Sequence, residues 1–382
     1  MLTNLTMAKN FVDIPTVKFN NNKEADFFKV LRKRVGSYFK DNAISRYADG
    51  RMKFKTIFMI GLYFIPMTIL ITGLVETVSI SYLLWMIMAL GMGGIGLSIM
   101  HDANHGSYSK SKDVNKVLGY LANFLGAYHR NWKIQHNRLH HSYTNIEGYD
   151  EDIMNKIMRF SPYQKRKSYH KYQIIYGPLA YGLATLYWFV GKDFDTLKRF
   201  AKSGLFDTTG ISKDRALIEI ICYKLGYLIL TVLIPLYTSS LPWYHTILGF
   251  LAMQYMCGLI LTLVFQPAHV IDETEFYLPE VDGEIDSNWA IHQMKTTSNF
   301  ANRNWLLTWY IGGLNFQVEH HLFPNICHIH YRDIAPIVKE TAKEFGVSYL
   351  EHQTFRSALR SHFKVIKELG TGEYDKRLHP VV

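Results

Sequence analysis

Four apolar runs, each near the length of a bilayer crossing, constrain this chain more than any other feature. Residues 56–75 and 79–100 carry no charged side chain, and 217–237 and 244–265 are nearly as apolar. A helix needs about 20 such residues to cross the hydrocarbon core, where its backbone N–H and C=O groups must be satisfied within the segment. The short gaps at 76–78 and 238–243 pair the runs into two hairpins. Mean hydropathy over the whole chain is nevertheless only −0.04, so a sizeable water-facing part accompanies the bundle. The expected fold is an all-α integral membrane protein: four transmembrane helices in two hairpins, with interfacial helices and a cytoplasmic helical cap.

Charge orients this bundle. The formal net charge is +10. The two hairpin loops contain no Lys or Arg, whereas the N-terminal arm and residues 192–215 contain many. Cations gather on the cytoplasmic side of spans, so both termini are expected there, and the charge needs no nucleic-acid partner. Aromatic residues make up 14% of the chain, as interfacial belts require. The first fifty residues lack the apolar core of a cleaved signal peptide. Cys222, Cys257 and Cys327 lie far apart, which argues against a disulfide framework.

Three parts are expected. Residues 1–55 form an N-terminal arm in which Phe27, Phe28, Leu31, Val35 and Phe39 recur at helical spacing over 24–39; that helix either lies on the membrane surface or packs on the cap. Residues 56–336 form the central domain, and 337–382 a helical tail with helices near 333–345 and 354–369, stopped at Gly346 and Gly370. Between the hairpins, 174–190 is apolar but interrupted by Gly177-Pro178. A crossing there would put residues 141 and 269 on opposite faces, so it is read as interfacial. Gly91-Met92-Gly93-Gly94-Ile95-Gly96 matches a dinucleotide fingerprint in letters only. No strand precedes it and it sits inside a span, where small residues let helices approach.

Histidine placement points to chemistry. His101 and His105 follow the second run, and His136, His140 and His141 come shortly after; His320 and His321 lie beyond the fourth run, and His269 falls one turn past its end. On a helix, imidazoles four apart share a face. Eight neutral nitrogen ligands exceed the four to six that one ion typically takes, so the count implies two metal ions. Ligand type alone leaves iron, copper, nickel and zinc open. Cys327-His328-Ile329-His330 has no second Cys/His pair in range and is read as a structural loop.

The motifs His101-Asp102-x-x-His105, His136-x-x-x-His140-His141 and Gln317-x-x-His320-His321, in this order, resemble the membrane fatty acid desaturase family over residues 56–336. Gln317 at the head of the third box resembles the front-end members, which add a double bond between an existing one and the carboxyl end. Thr144-Asn145, Asp150-x-Asp152 and Phe323-Pro324 resemble bacterial acyl-CoA or linoleoyl-CoA desaturases, which implies a bacterial inner membrane.

The resemblance implies an oxygen-dependent dehydrogenation of an acyl chain at two iron ions, with O2 as co-substrate. Removing hydrogen from an unactivated methylene lies beyond any side chain and needs a metal. The implied ligands are His101, His105, His136, His140, His141, His269, His320 and His321. Asp102, Asp150, Asp152, Asn315 and Glu319 are expected to hold imidazole N–H groups, and Gln317 either reaches iron through a water or orients a neighbour. No His-Pro-Gly-Gly haem motif is present, so no haem is expected, and a separate ferredoxin or cytochrome b5 must deliver electrons. The substrate is an acyl-CoA or acyl-lipid; zinc, which outcompetes ferrous iron at nitrogen, could fill the sites in recombinant material. The rival readings are a di-iron lipid hydroxylase and a zinc-binding membrane transporter or sensor.

Overall fold

The computed structural model describes residues 17–20, 25–279 and 283–378. Among these, four helices are long and apolar enough to cross a membrane: Gly50–Ile71, Val78–His105, Lys213–Thr238 and Trp243–His269. The first starts six residues earlier than hydropathy suggests because the Asp49 carboxylate accepts from the Arg51 and Met52 N–H groups and caps it. The Ser212 hydroxyl does the same for Arg215 at the third.

The second span is the axis of the bundle. In its most apolar window 78% of residues are buried, against 39%, 22% and 39% for the first, third and fourth. Small residues permit that centrality. A Cβ on Gly91 would sit 2.6 Å from the Tyr63 backbone nitrogen, and one on Gly94 would collide with Met59. The Gly91–Gly96 run is thus a helix-packing face.

Four π-helical segments interrupt the helices among the described residues: Ile95–Ile99, Lys133–His140, Trp188–Lys192 and Ile229–Leu233. The block read as interfacial is bent by 60° between Ser168–Gly182 and Ala184–Lys202. It packs along the fourth span, where a Cβ on Gly258 would collide with the Gly182 carbonyl.

A cap closes one end. The N-terminal helix Ala25–Asp41 buries Phe27, Leu31 and Val35 in a core with Ile334, Val338 and Ala342 of helix Tyr331–Glu344. Arg34 fixes the pair through Glu344, 2.7 Å away. Gly346 (φ +66°) follows the cap helix. Gly370, expected to stop the next helix, lies within Phe355–Thr371 and packs on the His170 carbonyl; the stop is Gly372, at φ +85°. Two short parallel ladders supplement the helices, Lys18–Phe19 with Glu284–Ile285 and Asn299–Phe300 with Glu351–His352.

Candidate metal centre

Each group of histidines sits where a helix ends or changes pitch. His101 and His105 lie on the last turn of the second span, directly after the π segment Ile95–Ile99. The fourth span does not end at residue 265; it continues through Pro267, so His269 is its last residue. His136 and His140 are not one α-turn apart either, because Lys133–His140 is a π-helix and the His141 N–H bonds the His136 carbonyl, five residues back. This wider turn brings His141 into line with His136, their Nε2 atoms 3.3 Å apart. His320 and His321 ride on Gln317–Leu322.

All eight rings converge in adjoining groups. Ligand atoms of His101, His105, His136 and His320 lie within 4.8 Å of one another, and so do those of His140, His269 and His321. His141 joins the two through a trio with His320 and His321. The Nε2 atoms of His101 and His136 stand 3.0 Å apart. His105 Nε2, His269 Nε2, His320 Nε2 and His321 Nε2 are buried and without a partner, as are Nδ1 of His101 and of His141.

The other nitrogen of several rings is held from outside. His269 Nδ1 meets the Thr296 carbonyl at 3.1 Å, and His321 Nδ1 meets Gln293 Oε1 at 2.8 Å. A carbonyl oxygen only accepts, so each Nδ1 carries the proton and each Nε2 lone pair points inward. His140 Nδ1 is 3.1 Å from Asp150 and 3.4 Å from Asp152. Burial opposes its charged form, yet the two carboxylates outweigh this and push His140 up to about 9. Burial and neighbouring imidazoles hold His136, His141, His320 and His321 well below the ordinary range. Neutral, inward-facing nitrogens are what a metal ion requires; orphaned in a buried site, they fit one.

A family model described as fatty acid desaturase matches residues 78–353. The chain belongs to the fatty acid desaturase family. This desaturase is an oxidoreductase acting on fatty acyl chains, which sets aside the transporter and sensor reading. It is 37% identical over 369 residues to an acyl-lipid (8-3)-desaturase of Physcomitrium patens, covering 94% of this chain and 75% of that one. It is 34% identical to an sn-1 linoleoyl-lipid 6-desaturase of Arthrospira platensis and 33% identical to one of Synechocystis sp., covering 95% and 93% of this chain and 98% of each relative.

Other residues singled out from the desaturase sequence divide. Asp150 and Asp152 lie against His140, and the Gln317 side chain lies beside His269. Asp102 turns mainly to His328 Nδ1 (2.8 Å) and lies 3.9 Å from His101. Glu319 and Asn315 have partners other than imidazoles: Glu319 accepts from Asn299 and Tyr349, both at 2.8 Å, while Asn315 donates to Thr308 at 2.9 Å. Burial pushes Glu319 up to about 7. Trp132 stacks on His136 with ring centroids 4.5 Å apart; Trp305 is exposed and Trp309 packs on Phe58. Sequence reasoning noted Thr144 only as part of the Thr144-Asn145 motif and missed Gln293, Thr296 and Tyr331; these four hold His321, His269 and His320. No local sequence signal marks the last three.

Proposed function

We propose that this desaturase inserts a double bond on the carboxyl side of an existing one in a lipid-borne acyl chain, using O2 and two iron ions held by His101, His105, His136, His140, His141, His269, His320 and His321. The observation that carries the reading is the set of adjoining all-imidazole groups in a chain whose relatives bear the names of front-end acyl-lipid desaturases. Irons bound there would supply the oxygen-dependent removal of two hydrogens from neighbouring methylenes, which no side chain can perform.

The chain's own share is positioning. Asp150 and Asp152 orient His140 and raise its basicity, Thr296 and Gln293 do the same for His269 and His321, and Gln317 bears on His269. Trp132 fixes the plane of His136 and closes that side to water. The site lies at the ends of the second and fourth spans, where an acyl tail can enter from the bilayer. Both termini and the site face the cytoplasm, as the cation-free hairpin loops support. A separate protein supplies the electrons.

The test is expression in a host fed linoleate, followed by double-bond localisation in its lipids. A trienoic product with the new bond nearer the carboxyl end is expected; a hydroxylated product would favour the hydroxylase reading, and neither product would overturn the proposal. Metal-free protein reconstituted with iron should turn over with a competent reductant, and zinc-loaded protein should not.

A further inference from the structure

The N-terminal helix does more than brace the cap. Lys29, Arg32 and Lys33 stand exposed on its outer face, at the i, i+3 and i+4 positions that share one side of a helix. None is paired with a carboxylate in an ion pair among the described residues. Together with Phe28, Asn288 and Trp289 they border a groove of about 540 Å³.

The groove's aromatic wall leads to the histidines. Phe28 packs edge-on against Trp289 with centroids 5.5 Å apart, and the Trp289 indole N–H donates to the His141 carbonyl at 3.3 Å. Trp289 also opens the helix Trp289–Thr296 that carries Gln293 and Thr296, the residues holding His321 and His269. One side chain therefore borders a cationic surface on one side and hydrogen-bonds a residue of the imidazole cluster on the other.

We propose that this face docks a small acidic one-electron carrier protein and that Trp289 connects it to the site; the inference rests on the desaturase reading above. The balance requires such a partner: R–CH2–CH2–R′ + O2 + 2 e− + 2 H+ gives R–CH=CH–R′ + 2 H2O. Two reduced carriers are each oxidised by one electron, the acyl chain loses two hydrogens, and dioxygen is reduced to two waters. A stripe of exposed cations along one helix suits the carboxylates of a protein face, whereas a phosphate pocket would enclose its donors.

The experiment measures binding of a plant-type [2Fe–2S] ferredoxin and of the soluble haem domain of cytochrome b5 to the detergent-solubilised full chain, at low and moderate salt. With at least one probe, affinity should fall about tenfold or more as salt rises, and Lys29→Glu/Arg32→Glu/Lys33→Glu should lose a similar factor at low salt while Lys29→Arg/Lys33→Arg retains it. In iron-loaded enzyme the charge reversal should raise the KM for the carrier, and product from a single turnover driven by dithionite should match wild type. At saturating carrier Trp289→Leu should slow carrier-driven turnover, and Trp289→Phe less so. Equal carrier binding by wild type and the charge-reversed chain would overturn the surface. So would loss of coenzyme A binding in that variant with carrier binding intact. If wild type forms no product with any reductant, the reaction fails instead, whatever the binding shows.

Discussion

Two buried clusters of potential ligands lie side by side in this protein, and only one of the two leaves nitrogens free for a metal. Six of the eight imidazoles, those of His101, His105, His141, His269, His320 and His321, keep a buried nitrogen without a partner. Beside them, Asp102, Cys327 and His328 also lie within ligand distance of each other, yet that cluster is closed: His328 Nδ1 meets Asp102 at 2.8 Å, and Lys55 Nζ reaches His328 Nε2 at 2.7 Å. The Lys55 ammonium, itself over the Trp309 ring, supplies the positive charge there. Proximity of ligand-type residues is therefore a poor guide; unspent lone pairs distinguish a metal site from a salt-bridged brace.

The largest expected effect comes from opening the first cluster. His321→Ala should lower bound metal from two ions per chain, measured by elemental analysis, and reduce desaturation by at least about 100-fold, beyond what outer partners usually cost. Retention of both ions would break the contrast. Lys55→Met should act oppositely: metal content stays at two, while equilibrium unfolding in detergent shows a loss of about 3 kcal/mol, because Asp102 keeps a buried charge without its cation. Metal loss in that variant would mean that the brace is part of the site.

Asp150→Asn sharpens the first cluster by leaving every ligand in place. Metal affinity should fall by about 10- to 100-fold, and an unchanged titration would show that Asp150 only shapes its loop. The smallest effect concerns His362, a histidine of a third kind. Both its nitrogens are satisfied, by Tyr181 and by the Val270 carbonyl at 2.7 Å each, and burial pushes it down to about 4. The fold thus favours its neutral form. Its contribution is full above the ordinary imidazole range and is lost as pH falls toward 4, at up to about 1.4 kcal/mol per pH unit. His362→Gln should flatten the acid limb of a stability profile; an unchanged slope would assign it to other groups.

The spans and histidine boxes were legible because their signals are local: apolar runs of fixed length and imidazoles a turn apart. The pitch was not. Whether residues 133–140 close i→i+4 or i→i+5 bonds depends on what they pack against, so the alignment of His141 with His136 could not be read from spacing. Closeness in sequence also misled. Glu319 adjoins His320 yet accepts from Asn299 and Tyr349, and Asp102 adjoins His101 yet spends its charge on His328, 226 residues away. Conversely, Gln293 and Thr296 lie 28 and 27 residues from the histidines they hold, with no motif to mark them. The expected stop at Gly370 failed because that glycine serves a close helix approach, not a turn.

The unequal burial of the spans has a consequence for the enzyme in its bilayer. The second span is mostly buried within the protein and the third mostly exposed. When hydrocarbon thickness changes, tilt and local adjustment fall on helices in contact with lipid. His101 and His105 hang from the sheltered axis, so a change in bilayer thickness should reach their geometry last.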